Sequence, residues 1–88
     1  MNNLDRQFIV RIQILSVLND CGGHLLPEGT LLTQTQLSLQ PAPLQSEFSE
    51  ALAFLDFSKM VTGVRPALGG NAKWRITDNG LAELANQK

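Results

Sequence analysis

Between Leu4 and Asp20 the chain has neither Gly nor Pro. Leu4, Phe8, Ile12 and Leu15 recur there at the i, i+4, i+8, i+11 spacing of one helix face. Gly22-Gly23 follows, as glycine does just past a helix C-terminus. A second apolar stripe, Val10, Ile14, Val17 and Cys21, runs on a face roughly opposite the first, and Leu18 partly bridges the two. The surface helix of a small monomer needs one stripe. Two stripes mean either a central helix wrapped on both sides or a helix that packs its second face on another chain. Because so short a chain leaves little material to cover both sides, the pattern favours a homodimer with Val10, Ile14, Val17 and Cys21 at its seam.

His24 to Gln40 carries Leu25, Leu26, Leu31, Leu32, Leu37 and Leu39, with Pro27 and Glu28 suited to a helix start. Gly29 and the threonines at 30, 33 and 35 weaken a helix, and Thr30 to Thr35 could form a short strand; helix is the preferred reading. Pro41-Ala42-Pro43 is a break. Leu44 to Met60 is a clear second helix, its apolar face formed by Phe48, Ala51, Leu52 and Leu55, with Ser46 as expected N-cap and Glu47 and Glu50 in the first turns. Phe54 and Phe57 fall off that face, Phe57 almost opposite it. Beyond Met60 the period becomes two. Val61 to Arg65 and Ala72 to Thr77 read as strands joined by Pro66-Ala67-Leu68-Gly69-Gly70-Asn71, a hairpin with an extended tip. Asp78-Asn79-Gly80 then opens a short amphipathic helix through Leu81, Leu84 and Ala85.

The 88 residues are expected to form a single domain over positions 1–88, and 43% hydrophobic against 17% charged residues suffices for a packed core. No apolar run approaches a membrane span. Met1 to Arg6 lack the basic-then-apolar layout of a signal peptide, so a cytoplasmic location is expected. One His, one Cys and no Tyr cannot furnish a nucleophile–base–orienter set, which argues against an enzyme. Cys21 with His24 and Asp20 falls short of a closed zinc site, and neither Gly-Gly pair is followed by the Lys-Ser/Thr of a phosphate loop. No metal or cofactor is expected.

Charge is unevenly placed. Up to Ser58, Arg6 and Arg11 stand against Asp5, Asp20, Glu28, Glu47, Glu50 and Asp56, whereas residues 59–76 hold Lys59, Arg65, Lys73 and Arg75 and no acid. The basic stretch coincides with the hairpin. Alternation puts Lys73 and Arg75 on one strand face and Trp74 and Ile76 on the other, and with Asn71 at the tip the four cations are expected to form one phosphate-contacting ridge.

The element order, and two segments in particular, resemble the winged helix-turn-helix family. Ala51-Leu52-Ala53-Phe54-Leu55-Asp56-Phe57-Ser58-Lys59-Met60-Val61 is similar to that family's third helix running into the first wing strand. Trp74-Arg75-Ile76-Thr77-Asp78-Asn79-Gly80-Leu81-Ala82-Glu83-Leu84 resembles its aromatic-x-apolar-Thr-x-x-Gly ending. The resemblance, over about residues 8–85, implies an α+β, mainly α fold of three helices, a two-stranded wing and a short C-terminal helix. It also implies a third helix that enters the major groove of double-stranded DNA and a wing that lies along the backbone. Small members are often dimeric regulators of bacterial or phage origin, so the expectation is a homodimeric transcriptional regulator. Gln45, Ser46 and Ser49 would face the bases, and Lys59, Arg65, Asn71, Lys73 and Arg75 the phosphates. The third helix departs from the family pattern in having no Arg or Lys before Lys59. Phe57 supports the alternative, a winged-helix adaptor whose partner is a protein.

Overall fold

The computed structural model describes residues 3–86, side chains from residue 5 onward. In chain order the elements are α1 (Asn3–Asp20), β1 (Leu26–Pro27), α2 (Glu28–Ser38), α3 (Gln45–Phe57), β2 (Val61–Val64), β3 (Lys73–Ile76) and α4 (Asp78–Asn86). Three helices, a hairpin and a short last helix thus follow the expected order. Met1, Asn2, Gln87, Lys88 and the side chain of Leu4 lie outside the described residues.

α1 is the central element. It packs against α2, α3, β3 and α4, so its neighbours surround it on most sides. Val10, Ile14 and Leu18 have no exposed surface, and Leu15 and Val17 are buried beside them. This corrects the expected dimer seam. Val10, Ile14 and Val17 lie inside their own chain, and Cys21 sits half-buried just past the end of α1. The wrapped-helix alternative holds because four different elements, each short, supply the cover that no single one could. The residue left more exposed is Phe8, from the first stripe.

The threonines of the second segment do not divert it into a strand. Thr33 Oγ1 donates to the Gly29 carbonyl (3.0 Å), Thr35 Oγ1 to that of Leu31 (2.8 Å) and Ser38 Oγ to that of Gln34 (2.7 Å). Each hydroxyl bonds back one turn along α2, which lets Thr35 be wholly buried without an unsatisfied polar atom. The two residues before this helix form β1, which the sequence pattern did not suggest. The sheet is therefore three-stranded, in the order β1-β3-β2, the two-stranded β2–β3 wing being joined by β1 at the edge of β3. β1 is an edge strand, where Pro27 is tolerated, and the Glu28 N–H extends the pairing to the Ala72 carbonyl (3.1 Å).

β2 and β3 pair antiparallel with Val61 opposite Ile76 and Gly63 opposite Trp74. Both strands are a little shorter than the pattern implied, but the alternation is as read: Trp74 and Ile76 are buried, Lys73 and Arg75 exposed. The Trp74 ring lies flat across Gly63, where a Cβ would come within 2.7 Å of it, so only glycine fits opposite this indole. Trp74 Nε1 donates to Glu28 Oε1 (3.0 Å), fastening the start of α2 to the sheet.

α3 begins at Gln45, with Leu44 rather than Ser46 at the N-cap. Leucine has no side-chain acceptor, and the reach-back comes from Glu47, whose Oε1 accepts the Leu44 N–H (2.9 Å). Its other oxygen, Oε2, takes the Arg6 Nε (3.2 Å), and Arg6 also donates to the Pro41 carbonyl (2.6 Å). The Glu47 carboxyl is held below its ordinary value of 4.5: the Leu44 N–H lowers it most, partial burial pushes it back up, and Arg6 lowers it again. α3 closes in a Schellman turn, Met60 N–H to the Leu55 carbonyl (2.9 Å) and Lys59 N–H to that of Asp56 (3.1 Å), with Lys59 at φ 63° in the left-handed position.

Thr77 ties the last elements together. Its hydroxyl donates to the Lys59 carbonyl (2.6 Å) and accepts the Gly80 N–H (3.2 Å), capping α4, while its own N–H bonds the Met60 carbonyl (3.0 Å). A Cβ on Gly80 would strike that same Met60 carbonyl and approach Ile76 to 2.7 Å. The Thr-x-x-Gly ending is thus a cap followed by a close approach of α4 to the turn after α3. Among the described residues no helix is long and apolar enough to cross a membrane.

Ile14→Asp would place a carboxylate in the centre of this core. It is expected to destabilise the chain by more than about 3 kcal/mol and abolish a cooperative melt, rather than give a folded monomer, as circular dichroism would show. Glu47→Gln is expected to lower the melting temperature at pH 7. Because the folded carboxyl is depressed, its contribution is present above the unfolded value and is lost as pH falls through the folded one. The difference between parent and variant should therefore close progressively in melts below pH 4.5.

Candidate nucleic-acid interface

Two elements can present side chains to an extended partner: α3, and the β2–β3 hairpin beside it. α3 buries Phe48, Ala51, Leu52 and Leu55, which fixes the opposite side as its outward face. The break before the helix is itself anchored, since Pro43 is buried and its carbonyl accepts Gln36 Nε2 (3.2 Å). The structure therefore places Gln45, Ser46 and Ser49 in solvent along the first two turns, all exposed. These three can donate to and accept from base edges, Gln with both atoms of its amide. Glu50, Ala53, Asp56 and Phe57 continue the outward side. Phe57 is 86% exposed, so it does not pack beneath the wing.

The hairpin carries its cations on different surfaces. Register and burial put Thr62, Val64, Lys73 and Arg75 on the outer face of the sheet and Val61, Gly63, Trp74 and Ile76 on the inner one. Lys73 and Arg75 are two residues apart on one strand, and among the described residues no carboxylate pairs with either. Arg65 is also exposed, but it lines the groove between α3 and the sheet together with Ser49, Ala53, Asp56, Glu28 and Trp74. Lys59 lies at the foot of the hairpin in the turn after α3, roughly 13 Å of strand from the tip. Asn71 is exposed in the tip loop.

The structure thus brings together Lys73 and Arg75, and separately Arg65 and Ser49. It does not bring all four cations onto one ridge. The single-ridge expectation treated the basic stretch as one surface, whereas a strand turns successive residues to opposite faces and a turn set Lys59 at the far end. Sequence reasoning also missed the two acids in the groove. Asp56 is visible as an exposed position of α3, but Glu28 arrives only because its carboxylate bonds Trp74, forty-six residues away.

At the C-terminal end of α1, Cys21 borders a shallow hollow with Asp20, Gln13, Gln34 and Ser38, and His24 is exposed beyond it. Among the described residues no group of three or more His, Cys, Asp or Glu side chains converges on a point that could hold a metal ion.

No protein-family model matches the chain, and no curated protein matches it in sequence. Among solved structures, that of a PadR-like transcription factor from Bacteroides fragilis superposes with a TM-score of 0.71. The match covers 98% of this chain and 85% of that one, at 14% identity. At such identity the shared property is the path of the backbone. With the three helices in order, the hairpin after the third and an antiparallel sheet of three strands, the chain has a winged helix-turn-helix fold.

Proposed function

We propose that this chain is a cytoplasmic DNA-binding protein that regulates transcription as a homodimer. The observation that carries the reading is the pairing of two surfaces. The first turns of α3 present the neutral polar Gln45, Ser46 and Ser49, and the outer face of the adjoining hairpin presents Lys73 and Arg75 with no acid on either strand. Its fold is that of a protein described as a transcription factor, which supports the same reading. In this arrangement α3 meets base edges in the major groove, while Lys73, Arg75 and Asn71 meet the backbone. Arg65 sits between the two, where a strand of phosphates would pass along the groove beside α3. Glu28, Glu50 and Asp56 oppose a polyanion, which keeps the affinity of one copy low and makes two copies necessary.

Fluorescence anisotropy of labelled duplexes across a salt series tests this. With two outer-face cations per copy, a pair should show a log–log salt slope of about −3.6 and lose roughly 150-fold in affinity between 50 and 200 mM salt. Lys73→Glu and Arg75→Glu should each flatten the slope by about 1.8 or more, since each removes one cation from both copies. Salt-independent binding, or unchanged slopes in both variants, would refute the proposal.

A second reading rests on Phe57, whose nearly complete exposure on the outward side of α3, beside Glu50 and Asp56, suits a protein partner better than a phosphate backbone. That reading expects partner capture to be lost with Phe57→Ser and retained with Arg75→Glu, with no duplex binding by the parent protein.

A further inference from the structure

Phe48, Ala51, Leu52 and Leu55 form the buried side of α3. The line farthest round the helix from them runs through Ser46, Glu50, Ala53 and Phe57, at the i, i+4, i+7, i+11 spacing of one face, and all four are exposed. Ser49 and Asp56 lie to one side of this line, where they border the groove next to the hairpin. Glu47 lies to the other side, where it meets Arg6. Along the line Glu50 is flanked by two small residues, Ser46 one turn before it and Ala53 one turn after. Its side chain stands out beyond both, so it is the first polar group that a surface approaching the middle of α3 meets. Among the described residues no ion pair holds Glu50. Arg6, which borders the same hollow, is taken by Glu47 and the Pro41 carbonyl.

We infer that Glu50 is a specificity residue of the proposed DNA interface, accepting a hydrogen bond from the N4 amino group of a cytosine. The inference rests on the reading of α3 as the element that enters the major groove, and names the base that its centre selects. A carboxylate carried into the groove loses water, and that loss is offset only where a donor takes the place of the water. The base edges offer few donors. Guanine presents two acceptors, N7 and O6, and thymine an acceptor and a methyl group, so neither can satisfy a carboxylate. Adenine sets its N7 acceptor beside its amino group. Cytosine alone presents an amino donor with no acceptor on its own edge, which makes it the favoured partner. The rest of the helix agrees. From Gln45 to Phe57 there is no Arg or Lys, so no cation reads the guanine bidentately and the pair is selected through its cytosine. Ser46 and Ala53 are small enough to let the base edge come up to Glu50. The charge that weakens attraction to the backbone thus sharpens the choice of base.

Selection from a pool of randomised duplexes, sequenced after binding, reads the preference position by position, and circular dichroism melts establish that each variant folds. The parent should enrich sites with one position at which cytosine is preferred by about tenfold over the other bases. Glu50→Ala should bring that position alone to within about twofold of no preference, while affinity for unselected duplex rises because a negative charge is gone. Glu50→Gln should move the same position from cytosine to adenine, whose N6 and N7 a carboxamide matches. Asp56→Asn, off the line on the same helix, removes an equal charge and should raise affinity without altering the preference at any position. Enrichment of one and the same site by the parent, Glu50→Ala and Glu50→Gln would overturn the role of Glu50 and leave DNA binding standing. So would a parent that binds duplexes without preference, or loss of the cytosine preference in Asp56→Asn. A parent that binds no duplex would overturn both this inference and the reading it rests on.

Discussion

Burial of one face of α1 is the constraint on which the other positions depend. Val10, Ile14, Val17 and Leu18 form a stripe that α2, α3, β3 and α4 each cover in part. Fully burying side chains of this kind stabilises by roughly 1.5–3 kcal/mol each, against a net stability for such a domain of about 5–15 kcal/mol. No other helix touches as many neighbours. The orientation of α3, and with it the identity of the residues it turns outward, follows from the requirement that Phe48, Ala51, Leu52 and Leu55 close this core.

Around that core, a few polar contacts fix angles that apolar packing leaves loose. Arg6 and Glu47 join the start of α1 to the start of α3, the Trp74 indole joins β3 to α2 through Glu28, and Thr77 joins the turn after α3 to α4. Each bridges elements distant in sequence and sits at an element's end, where a small rotation would move a whole surface. The Trp74 contact has a second consequence. It brings a carboxylate to the edge of the groove between α3 and the hairpin, so the interaction that orders the sheet also places negative charge beside the surface proposed for DNA. Stability and electrostatics pull in opposite directions at that one residue.

Much of the fold was legible in the residues. The period of 3.6 in α1 and α3, the Pro-marked break, the period of two through Lys73-Trp74-Arg75-Ile76 and the Thr-x-x-Gly ending are local patterns, and local geometry dictates them. The misreadings were of another kind. β1 is two residues long, too short to have a period, and exists because β3 offers an unpaired edge beside it. The helix preferred for α2 was read correctly despite its threonines, and the hydroxyls of Thr33 and Thr35 bond carbonyls one turn back. The candidate site was less legible than the fold, since Lys73 and Arg75 could be paired by alternation, whereas the separation of Arg65 and Lys59 from them could not.

The sequence by itself determined which positions must be buried together and which cannot be, because side-chain hydrophobicity and backbone period are properties of neighbours along the chain. It showed that α1 has two apolar faces and that residues 59–76 are wholly basic. Which face of α1 becomes core, and which cations share a surface, only the tertiary structure decided. Those outcomes depend on what the other elements place opposite each side, and amphipathic stripes of similar strength are interchangeable until something packs on one of them.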